Sequence, residues 1–171
     1  AFLTCHGLPI GEVADGVISA IAFDGTRVWF VVVDGRPKGA PGQEQAMGQA
    51  IIAAANCRIT NLIGQTSLKQ LLAVFEQGDV LVTPDSGPAH MANATEITTI
   101  SLHAATDPRR SGAYRSRAFC VDYFAEAAAR YRNATPDKLK WGTRIEDDAG
   151  VMALIPVEAV TARVDQAMAK R

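Results

Sequence analysis

The sequence predicts an α/β domain with three layers, in which a parallel sheet is covered by helices on both faces. Short runs of almost entirely apolar residues alternate with longer segments that carry helical signals. Strands that are apolar throughout are buried on both faces, and helical crossovers between such strands give a parallel sheet. The 171 residues are enough for one domain with a substantial core.

The first predicted strand and helix follow a segment with few signals. The run VWFVVV (Val28–Val33) is short, β-branched and aromatic, which is typical of a buried strand. Gln43–Asn56 is Ala-rich and apolar nearly all round, which indicates a helix packed on a sheet. CRITNLI (Cys57–Ile63) is interpreted as a second strand. The predicted domain is 28–171. Residues 1–27 are a poorly legible segment, in which GVISAIAF could be a strand, and are interpreted as a remnant of a neighbouring region.

The helix predicted at Ser67–Gln77 has the clearest local signals. Ser67 and Gln70 form an S-x-x-Q capping box, and Gly78 is the expected C-terminal stop. The later predicted elements are, in order, the strand Asp79–Thr83, a short helix Pro88–Ala94, the strand Ile97–Leu102, an Arg-rich loop Asp107–Arg117, the strand Ala118–Val121, the helix Tyr123–Arg132 and an amphipathic helix Pro156–Lys170.

Composition excludes several classes of function. Lys and Arg number 17 against 18 acidic residues, so the chain lacks the basic surface of a nucleic-acid-binding protein. The cysteines Cys5, Cys57 and Cys120 form no C-x-x-C pair, which argues against a zinc knuckle or a disulfide framework and favours a reducing cytoplasm. The sequence shows neither a signal peptide nor an apolar run that would span a bilayer. Any membrane association is therefore expected to be peripheral.

The stretch TPDSGPAH (Thr83–His90) is the candidate site. Ligands of an open parallel sheet bind beyond the carboxyl ends of the strands, where Asp85–Gly87 follow a predicted strand. Pro88 suits the first position of a helix, because its missing N–H costs nothing there. The N–H groups of Ala89 and His90 would then face outward, where the helix dipole favours an anion.

Two other interpretations fit the same residues. A Ser-His hydrolase would use Ser86 as the nucleophile and His90 as the base, but the G-x-S-x-G elbow is missing and His90 need not face Ser86. Alternatively, Asp85 and Ser86 only cap the helix, with Ser86 or Gly87 as the N-cap, while His90 fills a polar niche.

Four segments together resemble the C-terminal half of the bacterial heptosyltransferases, the ADP-heptose:lipopolysaccharide family of GT-B glycosyltransferases. They are NLIGQTSLKQLLAVFEQGDVLVTPDSGPAHMANA, ISLHAATDP, SGAY and VMALIPVEAV. The first follows the family pattern of Gly-x-Thr/Met-Ser-Leu, a helix, a strand and Asp-Ser/Thr-Gly-x-x-His, and TDP is the second family signature. The resemblance implies a Rossmann-like domain, an inverting transfer of heptose or a related sugar, an ADP-sugar donor and a lipopolysaccharide core acceptor. It also implies a place in the cytoplasm, peripheral to the inner membrane.

The resemblance also implies roles for particular residues. His90 would assist the leaving diphosphate, Glu44 would contact the ribose hydroxyls, and Thr66 would contact the nucleoside or else only flank its helix. Asp85 would order the loop or accept from sugar hydroxyls, since its charge repels phosphate. The implied donor-binding residues are Asp85, Ser86, Gly87, Pro88, His90, Glu44 and Thr66.

The sequence departs from the family pattern in two respects. The HPG-type phosphate loop and the Lys or Arg that normally open this domain are not found. The N-terminal acceptor domain, which carries the general base in the family, is also not found. The chain is therefore interpreted as a fragment or an incomplete record that binds donor but does not catalyse transfer.

The remaining polar clusters have competing interpretations. Arg109 and Arg110 could contact phosphates, although a solvated Arg-rich loop fits slightly better. His103 is expected to be a satisfied structural histidine. No Asp-x-Asp pair is present, so a metal-bridged diphosphate is not expected, and no cofactor is predicted. Two further functions stay open: a different GT-B enzyme such as a nucleotide-sugar 2-epimerase, and a non-enzymatic nucleotide-sugar-binding domain.

Overall fold

The computed structural model describes residues 2–5, 8–12, 21–22, 29–30, 43–54, 59–145 and 150–170. The strands are β1 (Phe2–Cys5), β2 (Leu8–Glu12), β3 (Ile21–Ala22), β4 (Trp29–Phe30), β5 (Val80–Pro84), β6 (Thr98–His103) and β7 (Val121–Asp122). The α-helices are α1 (Gln43–Ala54), α2 (Leu68–Gln77), α3 (Gly87–Ala92), α4 (Pro108–Ser111), α5 (Phe124–Arg132) and α6 (Val157–Met168). Short 3₁₀ helices cover Tyr114–Phe119, Pro136–Lys138 and Val151–Leu154.

A parallel sheet with the strand order β5-β6-β7 lies at the centre of the fold. Thr83 pairs with Ser101 between the first two strands, and Leu102 pairs with Val121 between the last two. The segments between these strands contain helices, as crossovers between parallel strands usually do. The predicted α/β class with a parallel sheet is confirmed.

Helices cover both faces of this sheet with apolar side chains. On one face, α1 and α6 pack on the strands, and the buried residues of this cluster are Ile51, Val80, Val82, Ile100, Val121, Val160 and Ala167. On the other face, α2 and α3 supply the partners of β5, and the buried residues are Phe75, Leu81, Ala92 and Ile97. Burial of these side chains in two separate layers produces the three-layer arrangement.

The face of the sheet that α2 and α3 cover changes from apolar to polar along the strands. Alternate residues of a strand share a face, so Leu81 and Thr83 of β5 lie on the same side as Ser101 and His103 of β6. Leu81 belongs to the apolar cluster, whereas Thr83, Ser101 and His103 are all 0% exposed and polar. Buried polar groups need partners. The carboxyl edge of the sheet is therefore where the fold concentrates hydrogen-bonding chemistry.

The capping box of α2 forms as predicted. The Ser67 hydroxyl accepts from the N–H of Gln70 at 3.4 Å, and the Gln70 side-chain oxygen accepts from the N–H of Ser67 at 2.8 Å. At the other end, the N–H of Gly78 donates to the Phe75 carbonyl at 3.1 Å, so the predicted stop is confirmed.

The interpretation of Cys57–Ile63 as a strand is wrong over its described part. Only Ile59 makes a β-bridge, and residues 63–65 form a turn. Asn61 is the cause, because its side-chain oxygen accepts from the N–H of Ile63 at 2.9 Å and so bends the backbone. Gly64 completes the turn with a φ of 70°, which favours glycine.

Two further elements differ from the sequence predictions. In the described part of VWFVVV, β4 pairs antiparallel with β3 instead of joining the parallel sheet. The Arg-rich segment is not an open loop, because α4 and the 3₁₀ helix Tyr114–Phe119 occupy most of it. Because that 3₁₀ helix extends to Phe119, the strand predicted at Ala118–Val121 begins only at Val121. Within the described ranges, no helix has the length and apolar composition needed to cross a bilayer.

Candidate functional site

The segment between β5 and α3 lies at the carboxyl edge of the parallel sheet. Ser86 is the N-cap residue of α3, with extended backbone angles, as predicted. Gly87 is the first helical residue, so Pro88 occupies the second position and not the predicted first. The N–H of Ala89 donates to the Ser86 carbonyl at 3.1 Å, so the prediction that it faces an anion is wrong. The short helix tightens at its start, and this uses that donor.

The Ser86 hydroxyl is directed into the protein. It donates to the Pro84 carbonyl at 3.2 Å and lies 3.2 Å from the Thr83 hydroxyl, while the residue is only 8% exposed. No hydrogen bond joins Ser86 to His90 in the described part of the chain, so the structure gives a Ser-His hydrolase no support. The hydroxyl stabilises the turn, and a ligand at this position would meet the backbone.

The Asp85 carboxylate has a defined orientation. Its Oδ2 accepts from the Ser111 hydroxyl at 2.6 Å, and its Oδ1 lies 3.7 Å from Nε2 of His90. The Asp85 side chain is 10% exposed, whereas the His90 side chain is 57% exposed. One carboxylate thus contacts α3 through His90 and α4 through Ser111. The imidazole remains accessible to a ligand.

Gly87 is exposed and faces open space. A Cβ added at this position would meet no protein atom within 4 Å, and φ lies outside the left-handed region that favours glycine. Neither packing nor backbone conformation therefore requires glycine here. What a side chain at Gly87 would obstruct is the approach of another molecule to the backbone beside Asp85.

Asp107 and Arg109 hold α4 in place. The Asp107 carboxylate caps the helix by accepting from the N–H of Arg109 at 2.9 Å, and it also accepts from the Arg109 guanidinium at 2.8 Å. The same guanidinium donates to Asp137 at 2.8 Å. Burial alone would raise the pKa of Asp107, but the hydrogen bonds and charge of Arg109 outweigh burial and lower this pKa below its ordinary value of 3.8. A phosphate would compete with two carboxylates for Arg109.

The other arginines of this segment have separate surroundings. Arg110 is exposed, and its side chain passes near Gly142. Arg115 donates to the Thr95 carbonyl at 3.4 Å, and the Arg117 guanidinium lies 5.3 Å from the centroid of the Tyr114 ring. The phosphate contacts assigned to Arg109 and Arg110 stay predictions.

The remaining predicted donor residues lie on other elements. Glu44 is in the first turn of α1, of which only the backbone is described at that position. Thr66 is half-buried directly before the capping box of α2. In the described ranges, no hydrogen bond or ion pair joins Thr66 to the loop at Asp85. The structure thus brings together the residues from Asp85 to His90, and it leaves the assignments of Glu44 and Thr66 as predictions.

His103 is structural, as expected, but only half of its ring is satisfied. It is 0% exposed, and Nδ1 lies 3.2 Å from the Thr106 hydroxyl, whereas Nε2 has no hydrogen-bond partner among the described residues. Burial lowers the pKa of this imidazole from 6.5, and the carboxylates of Asp85, Asp122 and Asp107 oppose that shift only in part. The imidazole is therefore a neutral buried group beneath the candidate site.

Cys120 is half-buried next to β7, and burial raises the pKa of its thiol to about 11. The thiol stays protonated at neutral pH, which suits the predicted core role. Cys57 lies outside the described residues. Among the described residues, no group of three or more His, Cys, Asp or Glu side chains is arranged to hold a metal ion.

Sequence reasoning missed Ser111 and Asp137. Ser111 contacts a residue 26 positions away, and Asp137 pairs with Arg109 across 28 positions. No local periodicity indicates such contacts. The SGAY segment, which begins at Ser111 and belongs to the family pattern, is the sequence feature that could have indicated a role for Ser111.

Comparison with known proteins assigns the family. A family model, that of glycosyltransferase family 9 (heptosyltransferase), matches residues 17–140, a range that includes Asp85–His90 and Ser111. The protein of Haemophilus influenzae named lipopolysaccharide core heptosyltransferase OpsX is 32% identical over 118 residues, which is 69% of this chain and 34% of that relative. The chain thus spans about a third of the length of this relative. No solved structure matches significantly. With the family pattern and both comparisons in agreement, the chain belongs to glycosyltransferase family 9, the heptosyltransferases.

Proposed function

We propose that this chain supplies the donor-binding half of a transferase that moves a heptose, or a related sugar, from an ADP-sugar to a lipopolysaccharide core acceptor. The observation that carries the proposal is the Asp85–His90 segment. It lies within the family match, at the edge of the sheet where ligands bind, and it combines an oriented carboxylate with an exposed glycine. The name of the Haemophilus influenzae relative supports the acceptor class.

The diphosphate of the donor would approach the backbone at Gly87, where space is open. The first N–H groups of a helix have no intrahelical acceptor, so the N–H of Gly87 suits a phosphate oxygen. Asp85 would repel phosphate and would instead accept from hydroxyls of the transferred sugar. His90 in its protonated form would stabilise the negative charge that grows on the leaving diphosphate.

The nucleoside half of the donor would extend away from this loop. Its adenosine would be bound by Glu44 at the ribose hydroxyls and by Thr66 near the base. A carboxylate that accepts from two vicinal hydroxyls uses the same chemistry as the ribose contact in dinucleotide-binding folds.

The transfer itself would be completed by groups outside this chain. A base on the acceptor-binding domain of the whole protein would deprotonate the acceptor hydroxyl, which attacks the anomeric carbon with inversion as ADP departs. The whole protein would work in the cytoplasm, peripheral to the inner membrane where its acceptor is anchored. The chain by itself would bind donor weakly without transfer, because orienting both substrates accounts for about 7–11 kcal/mol of the barrier in well-aligned reactions.

Calorimetric titration with ADP and ADP-heptose tests the donor site, with UDP as the comparison nucleotide. We expect the wild-type chain to bind both adenine ligands and Gly87→Val to bind them at least about tenfold more weakly, a loss of about 1.4 kcal/mol. A matched control is Ala125→Val, which places a valine at an exposed position of α5. Because a Cβ at Gly87 meets no protein atom and Ala125 is exposed, both variants should remain folded, which thermal melting checks.

The results that contradict the proposal are specific. If the wild-type chain binds no ADP or ADP-heptose, the donor site does not exist. If Gly87→Val binds as tightly as Ala125→Val, the diphosphate is bound elsewhere. Mass spectrometry of an acceptor incubated with ADP-heptose and this chain should detect no added heptose, and transfer by the chain alone would contradict its assignment as the donor-binding half.

A further inference from the structure

We propose that Ser111 is a positioning residue of the donor site, whose hydroxyl fixes the Asp85 carboxylate, and that Asp107, as the N-cap of α4, serves to place Ser111. This inference rests on the donor site proposed above. It assigns a role to a residue that contacts no donor itself, and it explains how the two signature segments form one site.

The hydrogen bond between Ser111 and Asp85 is short and well defined. The Ser111 hydroxyl lies 2.6 Å from Oδ2 of Asp85 and 3.5 Å from the Asp107 carbonyl. A hydroxyl has one proton, and the shorter contact to a charged acceptor is the stronger one. Ser111 therefore donates to Asp85. The Asp85 carboxylate is 10% exposed, so water competes little for this proton.

This contact joins the ends of two neighbouring parallel strands. Asp85 directly follows β5, and Ser111 ends α4, the helix that follows β6. The neighbouring Ser86 hydroxyl, by contrast, makes its contacts within its own turn, to the Thr83 hydroxyl and the Pro84 carbonyl. Fixing Oδ2 from across the sheet edge restricts the rotation of the carboxylate and leaves Oδ1 on the side of His90.

Helix α4 delivers Ser111 to this place. It has only four residues, so its own hydrogen bonds cannot stabilise it. Asp107 compensates as the N-cap, and Arg109 joins Asp107 to Asp137 on a separate 3₁₀ helix. The Asp107 carboxylate thus serves α4, and its effect on the donor site is transmitted through Ser111.

Double-mutant analysis of ADP-heptose binding tests this role in the 171-residue chain. Ser111→Ala should weaken binding about tenfold, equivalent to about 1.4 kcal/mol. Ser111→Thr keeps a hydroxyl and should restore most of the affinity. In the Asp85→Ala background, Ser111→Ala should have no additional effect, because the partner that it positions is gone. A purely structural role would instead give additive losses.

Thr161→Ala is the matched control, since it removes a hydroxyl that donates to a carbonyl within α6. It should leave binding unchanged, and thermal melting should show that every variant is folded. If the wild-type chain binds and Asp85→Ala weakens binding, but Ser111→Ala does not or the two losses add, this inference is overturned while the donor site stands. If the wild-type chain does not bind, the donor site and this inference fail together.

Discussion

Acidification should destabilise the protein through His103. Its imidazole is fully buried, Nδ1 lies beside the Thr106 hydroxyl, and Nε2 has no partner among the described residues. Burial lowers the pKa of this histidine from 6.5 in the folded state. Between the folded and the unfolded pKa, the unfolded chain binds a proton that the native protein does not bind. The free energy of unfolding therefore falls as the pH drops below about 6.5.

The loss of stability on acidification has an upper limit, because His103 accounts for the uptake of at most one proton on unfolding. If His103 stays neutral in the folded protein, lowering the pH from about 7.5 to about 5.5 reduces the free energy of unfolding by about 1.4 kcal/mol, because the unfolded imidazole gains its proton within that window. The carboxylates of Asp85, Asp122 and Asp107 oppose the shift, so the observed loss will be smaller than this limit.

Urea unfolding at a series of pH values measures this loss, and the variant His103→Gln should flatten the pH dependence. His90→Gln is the matched control, since the His90 side chain is 57% exposed and is not buried as that of His103 is. A pH dependence in His103→Gln equal to that of the wild-type chain would refute the reasoning, as would a titration of His103 at or above 6.5 by NMR.

Two further predictions concern local stability. Ser67→Ala should lower the free energy of unfolding by about 1 kcal/mol, because it removes the N-cap of the capping box. Ser67→Asp keeps a capping oxygen and should retain most of that stability. Urea unfolding measures both variants, and an unchanged midpoint in Ser67→Ala would contradict the role of the cap. Asp107→Asn should cost about 1 kcal/mol at neutral pH, a modest value because the Arg109 partner is half exposed. Because the folded pKa of Asp107 is depressed, the stability difference between Asp107→Asn and wild type should be present above about pH 3.8 and should shrink as the pH falls further. A stability difference that persists in acid would argue against the ion pair.

Local signals in the sequence were reliable where the structure depends on neighbours along the chain. The capping box at Ser67 and Gln70, the stop at Gly78 and the N-cap at Ser86 all formed as predicted, because each involves residues within one or two turns. The apolar strand β5 was equally clear. Because Asp85 directly follows this strand, the sequence pattern alone predicts its place at the carboxyl edge of the sheet.

Local signals failed where one residue outweighed a pattern. The run Cys57–Ile63 is apolar enough for a strand, but the Asn61 side chain forms a competing hydrogen bond with the Ile63 backbone. The Arg-rich segment lacks helical periodicity, yet Asp107 and its pairing with Arg109 stabilise a turn of helix there. In both places a hydrogen bond to a short polar side chain determined the local backbone conformation.

By itself, the sequence determined the α/β class, the family pattern and the position of the Asp85–His90 segment, because these follow from periodicity, capping and motif order along the chain. Only the tertiary structure decided which groups that segment contacts. Ser111 reaches Asp85 from 26 residues away, and Arg109 reaches Asp137 from 28 residues away. Such contacts depend on how two strand ends lie side by side, and hydrogen bonds between them leave no periodic trace in the sequence, since each needs only one donor and one acceptor at the right distance.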